Sequence, residues 1–294
     1  MKNKFSFAVF VLLGAIVFWA SAFAGIRAGL QHFSPTSVAL GRFIVASLIF
    51  AAVAFVRGIK LPKGRDLLTV AFWGGFLSIS VYHFCLNTGE ETVQAGVASV
   101  IVSLSPILIA ISARFLLGER LRWIQRIGIG ISFIGVILLS AGDYRFDIGI
   151  LYIFIATIAA SCYTVIQKKL LAKYRAIDLT ACCMWFGTLF LLPYTPLLIR
   201  ELETNTVLSF LPIIWLGIFP SALAYTMWAY SLRRFTANQC ASTLYLSPIL
   251  AFVIAWLWLG ELPTCQNLIG GAVIIIGIAL VNKKRSQPNK HVCD

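Results

Sequence analysis

Ten apolar runs, each about as long as a bilayer is thick, fill most of this chain and leave few folds open to it. They fall near 6–26, 36–56, 67–87, 95–117, 123–140, 149–167, 178–199, 209–230, 237–259 and 265–282. A membrane-crossing helix needs about 20 apolar residues, and inside lipid every backbone amide must bond within the protein. Runs this long are therefore helices, because barrel strands would be about 10 residues with strict alternation. The predicted fold class is an all-α polytopic membrane protein with ten transmembrane helices. Hydrophobic residues make up 60% of the chain and charged residues only 12%, against about 25% charged in globular proteins. That excludes a soluble enzyme, and so high a hydrophobicity excludes disorder as well.

Charge gives an orientation. With the N-terminus in the cytoplasm and the spans alternating, only Arg27, Arg42, Arg145 and Arg200 of the 24 basic residues fall outside, leaving 24 − 4 = 20 inside. Basic residues hold cytoplasmic loops, so both termini are expected inside, in the cell (inner) membrane of a bacterial-type cell. The net charge of +13 then belongs to lipid headgroups rather than nucleic acid, since no basic run interleaves with aromatics. Lys2, Lys4 and the sequence Ala22-Phe23-Ala24 before Gly25 imitate a cleavable secretory signal. The first helix is expected to be retained, because the repeat described next needs it. The seven cysteines (85, 162, 182, 183, 240, 265 and 293) show no metal-ligand spacing and read as small apolar side chains.

The chain matches itself at an offset of 142. Leu104-Ser105-Pro106-Ile107-Leu108 recurs as Leu246-Ser247-Pro248-Ile249-Leu250, Leu117-Gly118-Glu119 as Leu259-Gly260-Glu261, and Ile134-Gly135 as Ile276-Gly277. Trp73 and Gly75 likewise match Trp215 and Gly217. Shared Ser-Pro and Gly-Glu in register are not what chance matches of Leu and Ile produce. Five helices per repeat is an odd number, so the second half enters the membrane upside down. The expected units are 1–142 and 143–282, two inverted-topology five-helix repeats, followed by a basic cytoplasmic tail at 283–294. Inverted repeats belong mainly to transporters, whose two halves exchange shapes to open one site to either side.

With Phe18-Trp19-Ala20 in the first helix, Gly41-Arg42-Phe43 opening the second, and the paired Ser-Pro and Leu-Gly-Glu motifs, the whole chain resembles the drug/metabolite transporter superfamily. Within it, the resemblance is to the ten-helix EamA-type transporters. It implies a carrier of small organic solutes, with export of amino acids or related metabolites as the leading expectation. An uptake carrier for nucleosides, vitamins or S-adenosylmethionine has the same architecture. The Trp usual near the start of the sixth helix is absent, and Ala159-Ala160-Ser161-Cys162 stand there.

Pro106 and Pro248 are expected mid-helix in spans four and nine, where each removes an amide proton and leaves a carbonyl four residues back without its helical donor. Ser103, Ser105, Tyr245 and Ser247 are placed to compensate. The two prolines read either as mirrored hinges or as static bends. Arg42, about two turns inside the second span, either meets a substrate carboxylate or phosphate or snorkels to the outer headgroups. Trp19, Tyr82, His83, Asn87, Tyr163, Trp185, Tyr225 and Trp228 supply aromatic walls with polar tips for a cavity, or else anchor the helices at the interface. His83, the one histidine within a span, reads as a proton-coupling group or a hydrogen-bonded structural residue. Glu119 and Glu261 end helices four and nine and are expected to act as gates or latches at opposite faces. Gly128, Ser132 and Gly135, with Gly270 and Gly277, permit close helix approach, either within the monomer or along a weak homodimer seam.

An intramembrane hydrolase is the competing enzyme class. Glu90-Glu91 is similar to the paired glutamates of prenyl-protein proteases, but Ala95 stands where an Arg is required, and the pair falls in an outer loop. No hydrolase or phosphate-binding motif occurs. A passive channel would need rings of like charge or a repeated filter, and neither is seen. The expected partners are a small-molecule substrate and the lipid bilayer, with no cofactor and no metal.

Overall fold

The computed structural model describes residues 2–117, 123–140, 147–235, 240 and 243–282. Among the described residues, ten helical rods follow one another. They are α1 (Lys2–Leu30), α2 (Pro35–Arg57), α3 (Arg65–Gly89), α4 (Ala95–Val102 continued by Ser105–Leu117), α5 (Trp123–Ser140), α6 (Ile148–Leu170), α7 (Ala176–Thr204), α8 (Val207–Arg234), α9 (Leu244–Leu259) and α10 (Cys265–Asn282). Large apolar side chains face outward all round the bundle, Phe55 and Val207 being 95% and 86% exposed. A surface this apolar is stable only against lipid. The expected tail at 283–294 and the expected latch Glu119 lie outside the described residues.

The two halves pack as mirror images in sequence. α5 and α10 cross so closely that a Cβ on Gly135 would fall 2.6 Å from Ile274 Cγ1 and 2.9 Å from the Gly270 carbonyl. A Cβ on Gly277 would fall 2.6 Å from the Gly128 carbonyl. Ser132 Oγ donates to the Ile274 carbonyl at 3.3 Å, and Ile274 is its own counterpart, 132 + 142. Counterparts that touch each other lie on a pseudo-two-fold axis. The small-residue stripe is thus used inside the chain, where the absence of side chains lets backbones approach. The same exchange recurs elsewhere. Gly75 of α3 abuts Phe186 and Gly187 of α7, while its counterpart Gly217 of α8 abuts Val45 and the Arg42 carbonyl of α2.

α4 and α9 differ from the expected kinked helices. α4 stops at Val102, turns through Ser103 and Leu104, and restarts at Ser105 with Pro106 in its new first turn. α9 opens as one 3₁₀ turn (Leu244–Leu246) before Ser247–Leu259, with Pro248 again at the start. Proline is tolerated in a first turn because that amide has no helical acceptor, so the breaks precede the prolines instead of bending around them. The freed carbonyls are capped locally. Ser103 Oγ donates to the Val100 carbonyl and Ser105 Oγ to the Val102 carbonyl, both at 2.6 Å. A second mirrored irregularity is invisible in hydropathy: α3 widens to a π-helix over Val70–Val81 and α8 over Gly217–Ala224.

Candidate functional site

The breaks in α4 and α9, the widened turn of α3 and the turns of α8 that follow its own widened stretch line a central cavity of about 110 Å³ between the halves. At roughly 30 Å³ per water it holds three or four waters. This volume is smaller than the roughly 300–1,000 Å³ of a pocket for a drug-sized ligand. Trp19 from α1 forms one wall, its ring centroid 5.1 Å from Trp228 and 5.2 Å from Tyr225. Its indole N–H donates to the Pro220 carbonyl at 3.2 Å, a group inside the widened turn of α8. Tyr82 and His83 face it from α3, with ring centroids 4.6 Å apart. Because a carbonyl has no proton to give, the 2.8 Å contact from His83 Nδ1 to the Ile79 carbonyl means that Nδ1 carries the hydrogen. Nε2 is then the acceptor of the neutral ring.

Arg42 also lines this cavity and does not reach headgroups. It is 1% exposed, its Nε donates to Ser221 Oγ at 2.9 Å, and its Nη1 has no hydrogen-bond partner among the described residues. Desolvating a guanidinium costs several kcal/mol, roughly, unless its donors are met. A buried guanidinium with an unmet donor has the chemistry to take a carboxylate or phosphate oxygen.

Of the residues expected at the cavity, Trp19, Arg42, Tyr82, His83, Ser103, Tyr163, Tyr225 and Trp228 line it, with Ser105 and Ser247 from the hinge set. Three are elsewhere. Asn87 donates to the Pro35 carbonyl at 2.9 Å between α3 and α2. Trp185 donates to the Ser47 carbonyl at 3.2 Å. Tyr245 packs against the apolar core. Ser78, Ser99, Thr164 and Gln167 line the cavity although nothing in the sequence reading singled them out. The sixth helix contributes Ala160 and Ser161 where the family's tryptophan is absent, and Tyr163 one turn further on.

Toward the end of the bundle where α1 finishes, a polar latch ties α1 to the α3–α4 and α9–α10 connections. Arg27 Nε meets Glu261 Oε1 at 3.1 Å, and Arg27 Nη1 donates to the Glu90 and Glu91 carbonyls at 2.7 and 3.2 Å. Glu261 Oε2 accepts from the Ala95 N–H at the start of α4, at 3.1 Å. A vestibule of about 440 Å³, lined by Arg27, Gln31, Glu91 and Glu261 among others, lies at this latch. The opposite end carries a similar contact, one residue out of register with the repeat. Lys168, in the last turn of α6, donates to the Leu232 carbonyl and, at 2.7 Å, to the Phe235 carbonyl. Leu232 is the counterpart of Glu90, 90 + 142.

Glu90 itself is the outlier at the latch. It is 0% exposed, and neither carboxylate oxygen has a hydrogen-bond partner among the described residues, whereas Glu91 is exposed. Burial pushes its pKa well above the usual carboxylate range; the nearby Glu261 charge adds to this, and Arg27 and Arg42 oppose it.

The family model described as the EamA-like transporter family matches residues 6–141 and 147–283. A relative named as a probable terminal-alkyne amino-acid exporter, from Streptantibioticus cattleyicolor, is 36% identical over 96% of this chain and 95% of its own length. The uncharacterized transporter YdfC of Bacillus subtilis is 37% identical over 92% of this chain and 90% of its own. One crystal structure superposes with a TM-score of 0.64 at 21% identity, over 94% of this chain and 96% of that one, which shows the same fold.

Proposed function

The chain belongs to the EamA-like transporter family, and from that premise we propose that it exports small carboxylate-bearing solutes, amino acids or related metabolites, by alternating access. The repeats 1–142 and 143–282 rock against each other about the α5–α10 axis, and the site between them faces each side in turn. The excess of basic residues on one side supports an inner-membrane orientation with both termini cytoplasmic. The Arg27–Glu261 latch is then the outer gate. The Lys168 contact belongs to the inner one, where Glu119, the counterpart of Glu261, is proposed as the matching carboxylate. In this reading no bond is made or broken; the protein supplies only binding and gating.

The single observation that carries the reading is Arg42, a buried guanidinium with an unpartnered Nη1 among the described residues, in the lining of an aromatic cavity drawn from both halves. A guanidinium takes the solute carboxylate, and the Trp19, Tyr225 and Trp228 rings take its apolar body. The relative named as an amino-acid exporter supports the same class. The breaks at Ser103–Leu104 and Leu244–Leu246 lie beside this cavity and serve as hinges. Thermal unfolding of the purified protein against amino acids, purines, flavins and S-adenosylmethionine tests the reading, since a ligand of the folded state raises apparent stability. Amino acids should shift the transition; a shift from purines alone contradicts it.

A further inference from the structure

Two features of Glu90 call for a partner that is not a side chain. The carboxyl is wholly buried with no hydrogen bond to either oxygen among the described residues. It also stands one helical turn beyond Leu86, which lines the cavity, and next to Glu91, which lines the vestibule. Arg27 reaches this spot but bonds the Glu90 backbone carbonyl and spends its Nε on Glu261. We propose that Glu90 is a proton-binding site whose occupancy is tied to closure of the outer gate. As the gate closes, a proton passes from the outer solution to a Glu90 carboxylate oxygen, and the neutral acid is buried. As it opens, water reaches the carboxyl and the proton returns.

Every ionisable group around it fits that cycle. Among the described residues these are Arg27 from α1, Arg42 from α2, the Tyr82 phenol from α3, Asp147 at the start of α6, Glu91 beside it and Glu261 after α9. Asp147 is occupied, accepting from the Thr92 hydroxyl and the Gly149 N–H. Glu261 is ion-paired with Arg27. The two arginines favour an ionised Glu90, but burial outweighs them while the latch is shut, and its acidity is shifted accordingly. The mirrored position at the other gate is Leu232, which cannot titrate. The buried carboxyl of Glu90 therefore has no titratable counterpart at the matching position of the other end.

The sign follows from linkage. The closed state holds the higher pKa and binds the extra proton, so it gains population as pH falls through that pKa, and the gain ends at the open-state pKa near the ordinary Glu value of about 4.3. Between the two, the closed-to-open ratio changes by up to about tenfold per pH unit. The inference rests on the orientation proposed above, but its test needs neither substrate nor flux. Amide hydrogen exchange over 93–98, in full-length protein in nanodiscs and corrected for intrinsic chemical rates, reads opening of the gate. Protection in the wild type should fall as pH rises from 5 to 8. Glu90→Gln, which imitates the neutral acid, should stay protected throughout, and Glu91→Gln should keep the wild-type slope. A flat wild-type profile, or an unchanged slope in a folded Glu90→Gln protein, overturns the proposal and leaves the carrier reading standing.

Discussion

Replacing Arg42 with Gln separates substrate recognition from folding. The guanidinium is held by a 2.9 Å bond to Ser221, and its Nη1 is buried with no hydrogen-bond partner among the described residues. A carboxylate reaching Nη1 gains a charge-assisted hydrogen bond of about 1.5–3 kcal/mol. At about 1.4 kcal/mol per decade, its loss raises Kd about tenfold to 150-fold. Stability should move the other way or not at all, because removing an incompletely paired buried cation relieves a desolvation penalty. The assay is titration calorimetry with an amino acid and with its uncharged amide, alongside thermal unfolding without ligand. The wild type should favour the acid and Arg42→Gln should bind the two nearly alike, with Tm held or raised. An acid-to-amide preference that survives the substitution, or a collapse of Tm, refutes the reasoning.

Other consequences follow from the same geometry. Arg27→Ala removes a half-exposed ion pair and two bonds to backbone carbonyls, together about 1–2 kcal/mol. Spin-label distances across Gln31 and Leu262 should show the outer gate open about five- to thirtyfold more often; an unchanged distribution means the pair is no latch. Gly135→Ala and Gly277→Ala should each destabilise by about 1–3 kcal/mol through overpacking, because both face a backbone carbonyl across the α5–α10 crossing. Chemical unfolding that finds one costly and the other free would contradict the pseudo-two-fold axis. Pro106→Ala with Pro248→Ala restores the missing amides and lets α4 and α9 run on as continuous helices. Ligand affinity should persist while turnover in proteoliposomes drops; undiminished turnover would show that the breaks are not hinges.

Some of this was legible in the residues alone. The 142-residue offset anticipates that Ser132 meets Ile274, and Arg42 declares itself because a charge at that depth needs a reason. Two kinds of information were not legible. Widening α3 over Val70–Val81 shifts side-chain register, as the five-residue reach of Ser80 Oγ to the Gly75 carbonyl shows. Leu86 therefore reaches the cavity and Asn87 does not, a one-residue difference that hydropathy cannot resolve. Ser78, Ser99 and Gln167 passed unnoticed because serine in an apolar helix bonds its own backbone as readily as it faces a cavity. Glu90 reads as half of an exposed loop pair. Only the fold of α1 and the α9–α10 connection over it makes it buried.

Counterflow in proteoliposomes tests the central claim, that one site is offered to each side in turn. Vesicles loaded with an unlabelled amino acid are placed in a trace of the labelled one at equal pH. Alternating access predicts that uptake saturates with outside concentration and runs faster into loaded vesicles than into empty ones. Uptake that stays linear in concentration and ignores what is inside would describe a pore, and the two-gated carrier would have to be given up.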